Sequence, residues 1–285
     1  MLPAKKNNRK LRLTILISCL LIHTLLITTI STARTWYIKS DGAGDAPTIQ
    51  TGIDNATAGD TVLVAEGTYF EQIVMKGGIS LISESGPTHT IINMENNPNY
   101  YYIIRVFQIS ASAYRTEING FWLKGLSFSN EGAISVLNSE DIWLINNIIT
   151  DNAIGISIHN SHLNIINNTT NNNSWAGIDG TGGGFGVLTK NIFWDTAYNL
   201  GLLSCALNNF LNISDAAPYQ NSNFSLDPQF CGSAAGNFYL QSDSPCAPEN
   251  PPYPNKGLVG ALPLGCGSVD THQKTWGEIK ALFSE

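Results

Sequence analysis

The sequence predicts an all-β solenoid in which successive coils of the chain stack as parallel strands. Three observations lead to this prediction: segments that repeat about every 22 residues, apolar and asparagine positions that recur in each copy, and no helical periodicity in the repeating region. A period this short does not fit most helical repeats, and the L-x-x-L-x-L spacing of a leucine-rich repeat is absent. Strands with Gly/Asn corners remain the best interpretation.

The clearest copies of the repeat begin at Ile142, Leu163 and Gly186, and a weaker copy begins at Gly120. Aligning them gives one fully apolar column, which we expect to face the interior because side chains alternate along a strand. Its members are Trp122, Leu144, Ile165 and Leu188.

A second column holds turn-forming residues: Gly125, Asn147, Asn168 and Asn191. Asparagine tolerates the left-handed backbone of a tight turn. Strands stack about 4.8 Å apart, so equivalent amides can also bond one another along the stack. We therefore predict a structural role for these asparagines.

Residues 146–158 (NNIITDNAIGISI) resemble the repeat of the right-handed parallel β-helix, or pectin-lyase-like, family of secreted bacterial type. Residues 41–71 resemble its entry module, a short helix followed by a first coil that ends in a Gly67-Thr-Tyr69-Phe-Glu71 turn. Residues 227–261 resemble the closing coil. The resemblance implies a single-stranded right-handed parallel β-helix of about six to eight coils, in which Gly67, Tyr69 and Glu71 are structural.

The resemblance also implies how the chain is divided. Residues 34–60 would form an N-terminal strand and a helix that caps the solenoid with Ile49 and Ile53. Residues 61–267 would form the β-helix with its closing coil. Residues 268–285 lie beyond the resemblance. A capping box from Thr275 to Glu278 predicts a short C-terminal helix after a polar linker, and this helix either docks on the coil or serves as a tag.

Residues 1–33 have the layout of a secretory signal, with five basic residues and then an apolar run that ends in small residues. The alternatives are an uncleaved membrane anchor and a lipoprotein modified at Cys19. Export predicts a secreted or cell-surface protein that meets the membrane only transiently. Without this segment the formal charge changes from −7 to −12, which argues against nucleic-acid binding. We expect a monomer.

Cysteines outside the N-terminal segment occur only in the last third of the chain: Cys205, Cys231, Cys246 and Cys266. In an exported protein an even number predicts disulfides, here with three possible connectivities. Free thiols are the alternative. A zinc site is not favoured because no CxxC pair occurs.

The family includes pectate lyases, polygalacturonases and pectin methylesterases. The catalytic segments of the last two have no match in this sequence, and a lyase would need a Ca²⁺-binding carboxylate cluster and a Lys or Arg base. Asp151 and Asp195 align two coils apart, at roughly 10 Å, near the carboxylate separation of inverting glycosidases. Asp179 and His159 are expected nearby. The alternative is that these aspartates are ordinary turn residues.

Two aromatic residues, Phe121 and Trp143, align in the column beside the inward one and are expected to stack outside. They would form a sugar-binding platform or a seat for a lateral loop. Asp41 and Asp45 could bind Ca²⁺, but a Gly/Asp turn is favoured, and no other cofactor or metal is expected.

The first functional hypothesis is an exported, non-catalytic protein that binds a polysaccharide or cell-surface glycan. The alternative is a polysaccharide-degrading enzyme, a lyase or glycosidase.

Overall fold

The computed structural model describes residues 32–96, 100–127, 130–195, 197–198, 200, 202–211 and 222–266. They confirm the predicted fold class, because the chain forms a single-stranded parallel β-helix of about seven turns with very little helix. The predicted signal segment and C-terminal helix lie outside the described residues, apart from Thr32 and Ala33. None of the described helices is long and apolar enough to cross a membrane.

The regular elements are short and follow one another closely. In chain order they are β1 (Thr35–Ile38), α1 (Ile49–Asn55), β2 (Thr61–Val64), β3 (Gly67–Tyr69), β4 (Ile73–Val74), β5 (Ser80–Ser83), β6 (Thr90–Asn93), β7 (Ile104–Phe107), β8 (Thr116–Asn119), β9 (Trp122–Lys124), β10 (Ile134–Leu137), β11 (Ile142–Ile145), β12 (Ile148–Thr150), β13 (Ile154–Ile166), β14 (Thr169–Asn171), β15 (Ala176–Thr189), β16 (Ile192–Trp194), β17 (Ala197–Tyr198), β18 (Leu202–Ala206), β19 (Asn209–Phe210), β20 (Phe230–Gly232) and β21 (Asn237–Leu240). A 3-10 turn, Ser233–Ala235, joins the last two strands.

Three parallel faces enclose the core. The first face contains β1, β2, β5, β8, β11, the second halves of β13 and β15, and β18. The second face contains β4, β7, β10, the first halves of β13 and β15, and β17. The third face contains β3, β6, β9, β12, β14, β16 and β19.

The inward apolar column is confirmed for three of its four predicted members. Leu144, Ile165 and Leu188 are neighbours on the first face and fully buried. Trp122 is not in this column, because the residue that pairs with Leu144 is Ile118. Trp122 lies on the third face and pairs with Ile148.

A longer loop explains the error in the alignment. Nine residues, 125–133, separate β9 from β10, whereas three residues separate β12 from β13. The coil that contains Trp122 is therefore longer than the period of the later copies, and an alignment at constant period shifts its strands by four positions.

Asparagines at the corner between the first and third faces form a continuous ladder. Its rungs are Asn147, Asn168, Asn191, Asn208 and Asn223. From Asn168 onward, the side-chain oxygen of each rung accepts bonds from the backbone N–H and the side-chain amide of the preceding rung, at 2.8–3.1 Å. The amide also donates to a carbonyl of the first face, as Asn168 does to Leu144 at 2.8 Å.

Stacked amides were predicted correctly for Asn147, Asn168 and Asn191, but two details were wrong. Gly125 is not a member of the column, because Phe121 occupies the place before Asn147 and donates its backbone N–H to it. The left-handed residue of each corner is also the one before the ladder asparagine, for example Asn146 (φ 53°) and Asn167 (φ 54°).

The other two corners carry ladders that the sequence analysis missed. Asn152 bonds to Asn173, and Asn173 bonds to Asp195, at the corner between the third and second faces. Between the second and first faces, the hydroxyl of Ser139 accepts from Ile109 N–H, and that of Ser161 accepts from Ser139 N–H. Buried polar side chains therefore satisfy the backbone where each sheet ends.

The entry module has the predicted elements. Helix α1 buries Ile49 and Ile53, and Thr48 is its N-cap. Glu71 accepts from the backbone N–H groups of Ile49 (2.9 Å) and Gln50 (3.0 Å), so its carboxylate faces the helix N-terminus.

The Gly67–Glu71 turn packs closely against the chain at Ser40 and Ala65. A side chain on Gly67 (φ 147°) would meet Ser40. The Tyr69 hydroxyl donates to Ala65 O at 2.9 Å, and burial raises the pKa of Tyr69 to about 12.

The C-terminal segment does not only add a closing coil. After Asn223, the last rung among the described residues, the chain folds back over the outside of the third face. There, Ala261 N–H donates to Thr169 Oγ1 at 2.9 Å, and Gly260 N–H donates to Lys190 O at 2.8 Å. The outward Ile148 and Ile192 are thereby buried.

One of the predicted disulfides forms. Cys231 and Cys266 are joined, with 5.2 Å between their Cα atoms. Cys205 and Cys246 are buried free thiols, so their assignment to a disulfide was wrong. Cys205 belongs to the solenoid core, whereas Cys246 lies in the segment that covers the third face. Burial raises the pKa of each thiol to about 12.

Candidate functional site

A cleft of about 790 Å³ lies between the outside of the third face and the turn that joins β20 to β21. One wall comes from the solenoid and the other from the folded-back C-terminal segment. Its lining residues are Trp122, Lys124, Thr150, Asp151, Asn171, Asn172, Trp194, Asp195, Ser233, Ala234, Ala235, Gly236 and Phe238.

The solenoid wall is a row of outward side chains on adjacent strands. Lys124, Thr150, Asn171 and Trp194 occupy equivalent positions on β9, β12, β14 and β16. Four strands at about 4.8 Å give the row a length of roughly 14 Å. The row runs along the solenoid axis and is polar except at Trp194.

Trp122 lies at the same end of the cleft as Lys124. Its indole N–H donates to Thr150 Oγ1 at 2.8 Å, and its ring meets Phe238 edge-on at 5.8 Å. Gly236 approaches the ring so closely that a side chain there would collide with it. The Trp122 ring is therefore fixed by both walls.

Lys124 is the basic residue among the described lining residues, and it is already paired. Its ammonium lies 3.1 Å from Glu95 Oε1 and 5.6 Å from the centre of the Trp122 ring. The pKa of Glu95 is lowered, first by the hydrogen bond from Asn93 and then by Lys124. The Glu95 carboxylate therefore stays ionised and offsets the charge of Lys124.

Asp151 occupies a left-handed turn position (φ 58°) and lines the cleft. Its Oδ1 accepts from the Asn172 amide, at 2.6 Å, and its Oδ2 accepts from the Thr150 hydroxyl, at 2.9 Å. Asp151 thus ends a chain of bonds that begins at the Trp122 indole.

Asp195 does not align with Asp151, which corrects the sequence analysis. It occupies the ladder position of Asn152 and Asn173, and its two oxygens accept from Asn173 N–H (3.1 Å) and Asn173 Nδ2 (2.9 Å). It is 7 % exposed. Burial raises the pKa of Asp195, against the opposing effect of the hydrogen bonds from Asn173.

The remaining candidates do not join these two aspartates in the cleft. Asp179 and His159 lie on the second face, where Asp179 accepts from Thr181 N–H and His159 is exposed. Their carboxyl and imidazole groups are thus on a different sheet from Asp151 and Asp195.

The proposed aromatic platform of Phe121 and Trp143 is wrong. Phe121 is fully buried in the core, a consequence of the alignment error described above. Trp143 is half-buried on the first face, with the Arg115 guanidinium 4.6 Å from its ring centre and its indole N–H bonded to Asp141.

The segment from Asp41 to Asp45 forms a turn in which both aspartates accept backbone bonds. Asp41 accepts from Ala43 N–H and Asp45 accepts from Tyr37 N–H. In the described part of the chain, no group of three or more His, Cys, Asp or Glu residues is arranged to hold a metal ion.

Sequence reasoning missed Trp122, Lys124 and Trp194 as lining residues. With the correct register, residues 124, 150, 171 and 194 form one outward column, and this alignment is the signal that was available. The second wall had no such signal, because it comes from residues that lie far away in sequence.

No known protein family, curated protein or solved structure matches this chain.

Proposed function

We propose that the protein is exported and binds a polysaccharide or a cell-surface glycan in this cleft, without cleaving it. The observation that carries the proposal is the row of polar side chains between two tryptophans on a rigid sheet. Trp122 and Trp194 stand three strands apart, with Thr150 and Asn171 on the strands between them.

The chemistry of the lining suits a sugar chain. Tryptophan rings offer apolar faces to the C–H surfaces of sugar rings. The Asn171 amide and the Ser233 hydroxyl can exchange hydrogen bonds with sugar hydroxyl groups. A concave site with aromatic walls and a few polar groups is typical of ligand binding.

Binding without cleavage is supported by the two carboxylates. Both oxygens of Asp151 and both oxygens of Asp195 accept hydrogen bonds from neighbouring side chains or backbone. A general acid or base must reach the reacting atoms, and Asp195 is turned into the corner ladder.

Export is supported by the disulfide between Cys231 and Cys266, since such bonds persist in oxidising compartments. The signal layout of residues 1–33 points to the same destination.

A polysaccharide-degrading enzyme is the second candidate. Asp151 and Asp195 line one cleft, and the raised pKa of Asp195 is a feature that catalytic acids share. The experiment below separates the two functions.

The test of binding is calorimetry or affinity electrophoresis with a panel of polysaccharides, comparing wild type with Trp194→Ala. We expect the substitution to weaken binding about tenfold, because it removes apolar contact area. Trp175→Ala is the matched control, since Trp175 is 59 % exposed in the bend before β15 and does not line the cleft, and it should leave affinity unchanged.

Turnover is measured on the same panel by release of reducing ends and of unsaturated uronates. Binding without turnover supports the proposal. Turnover that Asp151→Ala abolishes would contradict it and establish the enzyme instead.

A further inference from the structure

We infer that the cleft selects an uncharged glycan and disfavours a polyuronate. The inference rests on the proposed function and names the class of ligand. It follows from the arrangement of charge around Lys124.

Polyuronate binding needs a cation that is free to meet the ligand carboxylates, or a metal that bridges them. Lys124 is the basic side chain among the described lining residues, and Glu95 holds it at 3.1 Å. Asn93 Nδ2 donates to the other oxygen of Glu95 at 3.1 Å, which fixes the carboxylate in place. The charge of Lys124 is therefore balanced by a carboxylate of the protein itself, in a partly exposed ion pair beside the cleft.

The remaining charged groups of the lining are acidic. Asp151 lies beside Asn171 and Asn172, in the middle of the solenoid wall, and Asp195 lies at the end near Trp194. A uronate carboxylate placed along the wall would face Asp151 without an unpaired cation beside it, which is unfavourable. A neutral sugar places hydroxyl groups there, which donate to the carboxylate.

The experiment compares oligosaccharides of equal length: neutral gluco-, xylo- and manno-oligosaccharides against oligogalacturonate, by calorimetry with the full chain. We expect a neutral oligosaccharide to bind about tenfold or more tightly than oligogalacturonate. Its affinity should also stay constant as the salt concentration is raised, because screening acts on charged pairs.

Glu95→Gln tests the cause. The glutamine oxygen can still accept from Asn93, but Lys124 loses its counter-charge, so affinity for oligogalacturonate should rise about two- to fivefold, the range expected for an exposed ion pair. Glu140→Gln makes the same change of net charge at an exposed turn and should have no effect. Circular dichroism and melting curves establish that both variants are folded.

Oligogalacturonate that binds wild type as tightly as every neutral ligand, or a Glu95→Gln variant no better than Glu140→Gln, would overturn the inference and leave the proposed function standing. A panel in which no glycan binds would instead reject the proposed function itself.

Discussion

Asp195 shows how one side chain alters a repeating corner. Asn173 Oδ1 accepts from the backbone N–H and the side-chain amide of Asn152, and Asn152 Oδ1 accepts from Leu126 N–H. Each asparagine donates through Nδ2 to a carbonyl of the third face, as Asn173 does to Ile149 at 2.9 Å. An ionised aspartate accepts from Asn173 but has no proton to donate. Its neutral form resembles asparagine, which is consistent with the raised pKa.

The aspartate at this ladder position makes the free energy of unfolding depend on pH. Because the pKa of Asp195 is raised on folding, the native state holds its proton at a pH where the unfolded chain has lost it. The stabilisation from this proton is complete below pH 3.8, the ordinary pKa of an aspartate, and is lost as the pH rises through the raised pKa of Asp195.

Asp195→Asn should remove this decline and stabilise the protein by on the order of 1 kcal/mol at neutral pH, because the amide restores a donor. Urea unfolding between about pH 4 and pH 8 measures it. The exposed Asp243→Asn variant should keep the wild-type profile. If Asp195→Asn loses stability with rising pH as the wild type does, Asp195 is not the group responsible for the decline.

Individual residues were predictable where the repeat is regular. Asn147, Asn168 and Asn191 each lie three residues after a member of the inward apolar column, so their common place in the repeat identified them. Phe121 and Trp122 were misplaced because loop 125–133 is longer than its counterparts, and a loop length leaves no mark in the pattern of apolar residues. Asp195 was misplaced for a similar reason. One residue, Asn172, lies between β14 and the ladder residue Asn173, whereas Asp195 follows β16 directly.

The asparagine ladder is the element that joins successive coils at one corner. Each rung satisfies the backbone of the coil before it, so the rungs depend on one another. Asn168 is central, with Asn147 on one side and Asn191 on the other.

Replacement of Asn168 by alanine should lower the free energy of unfolding by about 3 kcal/mol or more. It leaves the backbone N–H and the amide of Asn147 without their acceptor and Leu144 O without its donor, all in the interior. Chemical denaturation gives the value.

Asn164→Ala is the matched control, because Asn164 points outward from β13, the strand that precedes Asn168, and is half-buried. It should change stability by less than about 1 kcal/mol. Equal losses in the two variants would mean that the ladder bonds contribute little.

The cap helix α1 was also predictable, because its apolar face and N-cap are local features of the sequence. The contact between its N-terminus and Glu71 was not, because the carboxylate comes from the next coil. Elements defined by local periodicity are thus accessible from sequence, whereas their partners depend on how the coils stack.

In the whole molecule, the fold could be predicted but the cleft could not. The solenoid follows from a repeat that recurs along the chain. The cleft needs a second wall, residues 233–238, which reaches the strands that contain Trp122 and Trp194 only after the chain has folded back. That return depends on apolar side chains that point outward from the third face and are buried by the returning segment, such as Ile148 and Ile192. Nothing in the repeat distinguishes them from inward residues.

The register in which the coils stack determines which side chains form the row that lines the cleft. Methyl-labelled protein allows it to be measured by nuclear Overhauser contacts. We predict cross-peaks from Leu144 to Ile165 and from Ile165 to Leu188, and from the Trp122 indole to Ile148. Cross-peaks between Trp122 and Leu144, or none between Leu144 and Ile165, would contradict this register and the cleft built on it.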